Sequence, residues 1–488
     1  MELKTTGTII SLLLTALIGL YVVYKSNKEQ KKGNLTKEQS KARYFLAAGV
    51  LDKYKIFFTV FATIFSAFTV VGLPAMFYTY GWGTFLFMGI GIVLTTATLQ
   101  LLGKRITRLS IKNDYSFSSP LGLLTNGYGS KLLTLLISII TIVVLFPYLV
   151  LQIAGIGKFL VSISDGSISY LFGTIFCCLF VALYMFNGGA EADARTDQIQ
   201  GIILIAGTLI LGGILIFLMS NDFESSKTQL SAAGLLSLPG PKNYFTPEVL
   251  ISFGIIFTLI SVSTPQVSQK LMGLKKEEDL NPLIKIYWLV GLIVIALAGL
   301  IGFYAYLNLN ISSPDFVTGD VLRYLSNQFE GVGKYLFFFV GILFITGVLS
   351  AAISTIDSLV IAISGIISDN FSVKSNALNP RLKLITVSFL ILGLLLSSSP
   401  PLLIVDLAKI QLAGLTALVP CLLGPLLGVT NRFSGWLSLI LGIGPIIINY
   451  FFPINLLNLN IGVIGLAFGL VGLIIGRIEI LMLTIDKK

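Results

Sequence analysis

Residues 350–364 read SAAISTIDSLVIAIS, inside an almost wholly apolar run from Tyr335 to Ile367. An ionised Asp near the centre of a membrane helix costs about 2.5–3.5 kcal/mol on insertion scales. Asp357 therefore needs a partner, a wet cavity or a cation, and no Lys or Arg occurs between Lys334 and Lys374. Positions three and four apart share a helix face. Ser354, Asp357 and Ser358 form one stripe, with Thr355 at its edge. The stripe offers oxygen and no nitrogen, a donor set for a hard cation. The competing reading is packing, because Ser and Thr also bond back to their own helix or to neighbouring helices. The missing basic partner favours an ion or proton site.

The rest of the chain agrees with a membrane setting. Of 488 residues, 55% are hydrophobic and only 11% charged, against about 25% charged in a soluble domain. There is no histidine, which removes the usual proton relay and general base. No paired nucleophile and base is visible, so an enzyme is not expected. Cys177, Cys178 and Cys421 lie in apolar spans without metal-ligand or disulfide spacing, and read as small buried hydrophobes. The net charge of +10 sits between spans and reads as the positive-inside rule rather than as nucleic-acid binding.

Apolar runs predict thirteen spans, near 7–24, 55–79, 82–103, 130–160, 169–186, 196–219, 247–271, 284–307, 334–366, 382–398, 402–428, 433–452 and 457–478. The first is read as a retained helix, since one basic residue, Lys4, precedes it and a basic run from Lys25 to Arg43 follows. The connections with Lys104, Arg105, Arg108 and Lys112, with Lys270, Lys275, Lys276 and Lys285, and with Lys374, Arg381 and Lys383 then fall inside. The turns at 80–81, 161–168, 399–401 and 453–456 carry no Lys or Arg. The expected topology is N-terminus outside and C-terminus cytoplasmic, in the plasma membrane. Loops 220–246 and 308–333 are too short for a soluble domain but long enough for a surface helix. Spans two to six and seven to eleven form sets of five of opposite orientation, an inverted-repeat transporter plan. The expected organisation is 1–54 (extra helix and basic loop), 55–219, 247–428 (the two repeats) and 429–488 (two further helices).

Other polar residues stand out. Asp197, in GGAEADARTDQIQ, reads either as an acid at the start of a helix or as a site residue. In FSAFTVVGLPAMFYTYGWG, Gly72 and Pro74 suggest a broken helix with free carbonyls. Gln152, Pro265 and Gln266 mark further polar spots within spans.

These stretches, with FPYLVLQIAG, TPQVSQKLMGLKKEEDL and LSAAISTIDS, resemble the sodium/solute symporter family over residues 40–430. The resemblance implies the leucine-transporter-type fold, with about thirteen helices in an all-α membrane protein. It implies sodium as coupling ion, bound by the carbonyls of Ala62, Phe65 and Ala351 and the hydroxyls of Ser354 and Thr355. A second ion or proton site would use Asp197, Asp357 and Ser358, with Ser354. The solute would meet Ser66, Ala67 and Thr69, then Gln152, Pro265 and Gln266. Pro265 replaces the acid of the sugar-transporting branch, and Ile64 the acid of the proline-transporting branch. An amino acid or carboxylate is therefore expected over a sugar. Lys270 stands where Arg is usual. The expected function is sodium-driven uptake by alternating access, as a monomer in the bilayer. The rivals are the same fold run on protons and, remotely, a membrane sensor. The sensor reading is disfavoured because the chain ends at Lys488 with no kinase domain.

Overall fold

The computed structural model describes residues 2–30, 36–371, 380–398, 403–453 and 457–485. Lys374, the turn at 399–401, most of 453–456 and the final Asp-Lys-Lys lie outside them. So do Lys31 and Lys32.

The described chain is helical, with one isolated parallel pairing of Leu51 and Leu274. In order the helices are α1 (Thr8–Gln30), α2 (Lys37–Leu46), α3 (Lys55–Ile64), α4 (Leu73–Tyr80), α5 (Gly83–Thr98), α6 (Lys104–Lys112), α7 (Pro120–Thr125) and α8 (Lys131–Ser164). There follow α9 (Tyr170–Ser220), α10 (Phe223–Ala232), α11 (Pro247–Thr258), α12 (Ile260–Ser263), α13 (Pro265–Met272) and α14 (Asn281–Asn308). The last are α15 (Val317–Gln328), α16 (Gly331–Asn370), α17 (Pro380–Ser397), α18 (Ile404–Leu426), α19 (Arg432–Phe451) and α20 (Ile461–Ile485).

Among the described residues, nine helical stretches are long and apolar enough to cross a membrane, and the bent pair Lys55–Ile64 with Phe68–Tyr80 makes a tenth. The expected thirteen is reached only by adding three shorter apolar stretches, Tyr170–Leu183, Pro247–Thr258 and Leu384–Ser397. Side chains such as Leu17 (61% exposed), Leu101 (66%) and Phe217 (67%) face outward, as lipid-facing residues do. α16 and α18 are the most enclosed helices: 78% and 83% of their most apolar stretches are buried, against 33% for the second half of α9. α16 packs on α9, α8 and α3.

Both loops expected to hold surface helices do so, as α10 and α15. Other expectations shift. The basic stretch 104–112 is no loop but an extension of the α5 helix, giving Gly83–Lys112. Pro74 does not break the first helix. It lies where a π-helical turn, Phe68–Gly72, passes into α4, and the Val70 carbonyl four residues before it accepts the Thr318 hydroxyl at 2.8 Å instead. The break lies earlier, at Phe65–Ala67, where Phe65 turns extended (ψ 95°) and the axis bends by 54°. The stretch from Pro247 to Met272 is broken too, at Thr264 (φ −95°, ψ 110°) before α13. The residue before a proline is pushed out of the helical region.

Candidate ion and solute site

The break frees carbonyls, and α16 brings hydroxyls to them. Ser354 Oγ donates to Ala62 O at 3.0 Å and to Ala351 O at 3.2 Å. Thr355 Oγ1 donates to Ala351 O at 2.9 Å and lies 3.4 Å from Thr63 O. All of these residues are buried. Four of the five expected sodium ligands thus meet at one point, and Phe65 stands at the adjoining break, with its ring stacked on Phe61 at 4.2 Å. The oxygen of Thr63 joins this group without having been singled out. Carbonyl and hydroxyl oxygens suit a hard monovalent cation, and unwound carbonyls are where such carriers hold sodium.

The second expected set assembles only in part. Gly189 (φ +54°) divides α9, so Asp197 lies about two turns inside its second half and is not a first-turn acid. Its carboxylate accepts from Lys270 Nζ at 2.6 Å and from the Thr59 hydroxyl. Lys270 also donates to Asp193 Oδ2 at 2.7 Å and to Thr59 Oγ1 at 2.6 Å. Ser358 Oγ reaches Asp193 Oδ2 at 3.3 Å and Thr63 Oγ1 at 3.3 Å. Asp357 stands apart: it is fully buried and neither carboxylate oxygen has a hydrogen-bond partner. Asp193 and Thr59 went unnoticed in the sequence. The available signal was a second acid one helical turn before Asp197.

The solute candidates gather at the break in part. Ala67 N–H donates to Gln152 Oε1 at 2.9 Å. Ser66 Oγ accepts from Tyr148 OH at 3.0 Å and from Phe68 N–H at 3.2 Å, and Thr69 Oγ1 lies 3.4 Å from Ser66 N. Gln266 lines a cavity of about 20 Å³ with Phe68, Tyr148, Thr264 and Gln411, while Ser66, Ala67, Thr69, Gln152 and Pro265 do not. That volume holds about one water. A solute needs these walls to separate. Unpartnered buried amide atoms of Gln152, Gln266 and Gln411 surround the region and are ready for polar ligands.

Fold and site together define a cation-coupled membrane carrier built on an inverted repeat. Comparison with known proteins agrees. The model of the sodium:solute symporter family matches residues 44–430. The chain belongs to the sodium:solute symporter family and is a sodium-coupled solute symporter, not an enzyme. It is 28% identical over 432 residues to a sodium/pantothenate symporter of Haemophilus influenzae, covering 85% of each chain. It is 24% identical over 245 residues to a sodium/sialic acid symporter of Aliivibrio fischeri, covering 46% of this chain and 43% of that one. A substrate-bound, outward-open structure of a Na+-coupled sialic acid symporter is similar in fold, with a TM-score of 0.69 at 18% identity and 98% of each chain covered. MhsT with L-phenylalanine is a further structural neighbour, with a TM-score of 0.56 at 14% identity, covering 87% of this chain and 97% of that one.

Proposed function

We propose that this symporter brings a small carboxylate-bearing solute into the cell, with sodium bound by Ala62, Phe65, Ala351, Ser354 and Thr355. The supporting observation is the meeting of Ser354 and Thr355 hydroxyls with the Ala62 and Ala351 carbonyls at a helix break. A cation there ties the break in the α3 helix to α16. Its loss loosens that tie, so sodium and solute affinities are coupled reciprocally.

Two features favour a carboxylate. The helix that resumes at Phe68 turns its N-terminus toward the break, where the helix dipole favours negative charge. Both pantothenate and sialic acid, named for relatives, carry a carboxylate. Ser66, Ala67, Thr69, Gln152, Pro265 and Gln266 are the proposed solute contacts. The proposed repeats are 55–219 and 247–428, flanked by 1–54 and 429–488. We place the protein in the plasma membrane as a monomer surrounded by lipid, N-terminus outside. The basic residues of α6, and Lys275 and Lys276 after α13, then face the cytoplasm.

The test is uptake into proteoliposomes from a panel of carboxylates and amino acids, with inward sodium or pH gradients. Ser354→Ala with Thr355→Ala is expected to abolish sodium-driven uptake. Normal sodium dependence in that double variant, or uptake driven by a pH gradient without sodium, overturns the reading.

A further inference from the structure

A second oxygen-rich pocket continues from the proposed sodium site. The Thr63 carbonyl faces Thr355, and the Thr63 hydroxyl lies 3.3 Å from Ser358. Ser358 in turn reaches Asp193. Asp193, Asp197, Thr59 and Ser358 thus gather oxygens from α9, α3 and α16 about one point. Two buried carboxylates with hydroxyls around them are a cation site by chemistry.

That point is taken by Lys270. An ammonium has three protons to donate, and Lys270 Nζ has one oxygen for each: Asp193 Oδ2 at 2.7 Å, Asp197 Oδ2 at 2.6 Å and Thr59 Oγ1 at 2.6 Å. The lysine side chain is itself only 9% exposed. A sodium at this point would have to share the same three oxygens with the ammonium, and two cations at one buried point repel each other.

We infer that the Lys270 ammonium is the resident cation of this second pocket, so that each transport cycle moves a single sodium. This rests on the sodium site proposed above. Removing the ammonium leaves two buried carboxylates and a hydroxyl without their cation, a place that a sodium can then take.

The experiment is equilibrium binding of radioactive sodium to the purified full-length protein, read as ions per chain. The wild type is expected to bind one. Lys270→Met, which keeps the stem and deletes the charge, is expected to bind two, and Lys270→Arg one. Ser354→Ala with Thr355→Ala in the Lys270→Met background is expected to leave one. Two ions on the wild type overturn the inference whatever the variants do, as does a folded Lys270→Met protein that binds one. No sodium on the wild type removes the first-site reading instead. If Lys270→Met folds only in sodium-containing buffer and not in choline, the second site is supported. Failure to fold in both shows a structural lysine and overturns the inference.

Discussion

Gln152 Oε1 accepts the backbone N–H of Ala67 at 2.9 Å, so a side chain of α8 closes the break between α3 and α4. The first N–H groups of a helix lack partners within it. Here the partner comes from another helix. Tyr148, four positions earlier on the same face of α8, holds Ser66 by its hydroxyl. Gln152→Leu removes the acceptor and strands a buried N–H, at a cost of about 1–2 kcal/mol. The thermal midpoint in detergent is expected to fall and uptake to be lost. If the Leu variant melts and transports like the wild type, this contact does not hold the break.

The sequence showed the plan of the fold because its signals are long. Apolar runs, Lys and Arg clusters and the oxygen stripe on α16 each repeat over many residues. The pairing of Ser354 and Thr355 with Ala62 and Ala351 came from family likeness, since carbonyl exposure leaves no side-chain mark. The break at Ser66 escaped for a related reason. Gly72 and Pro74 carry the strong local signal, yet the chain stays helical from Phe68 through both, and the true break is held by tertiary partners, Gln152 and Tyr148. The buried trio of Lys270, Asp193 and Asp197 was illegible because it joins positions over seventy residues apart, and Lys270 looked like part of a basic loop.

The close approach of α2 to α13 gives a second prediction. Gly273 has an ordinary helical φ of −80°, so its backbone does not require glycine. A Cβ there would lie 1.8 Å from the Leu46 carbonyl oxygen, a backbone atom. Beside it Leu51 pairs with Leu274. Gly273→Ala must push α2 away and is expected to cost about 1–3 kcal/mol, as overpacking does. Gly213→Ala is the control, because nothing lies within 4 Å of its added Cβ. Thermal unfolding of both variants side by side checks this. Equal midpoints would show that α2 shifts freely.

Arg43 fastens the same strap. Its Nη2 donates to Glu191 Oε1 at 2.6 Å and its Nε to Oε2, a two-pronged pairing that lysine cannot copy. Glu191 follows closely on the Gly189 break, where a Cβ would lie 2.6 Å from the Tyr44 ring. Arg43→Met removes both prongs from Glu191, whose side chain is fully buried. The expected loss is about 1–3 kcal/mol, read as a lower midpoint of thermal unfolding. Arg43→Lys is expected to restore only part of it. Full recovery by lysine would mean that charge alone, not the fork, secures α2.

Asp357 gives the last prediction. It lies on α16 within one turn of Ser354, about 5 Å along the axis, yet neither carboxylate oxygen has a hydrogen-bond partner. No hydrogen bond is lost by replacing it, so Asp357→Asn is expected to leave the thermal midpoint unchanged or higher. Its field is another matter. A buried charge without a partner is costly, so only part of the roughly 3 kcal/mol between two unit charges about 6 Å apart at an effective dielectric near 20 is realised. A third of that changes sodium affinity about fivefold. Asp357→Asn is therefore expected to raise the sodium concentration for half-maximal uptake about fivefold, with the maximal rate retained. Uptake measured across a sodium series in proteoliposomes reads both quantities. A lowered maximal rate with unchanged sodium dependence would point to a packing role for Asp357. An unchanged profile would mean that this carboxyl exerts no field on the sodium site.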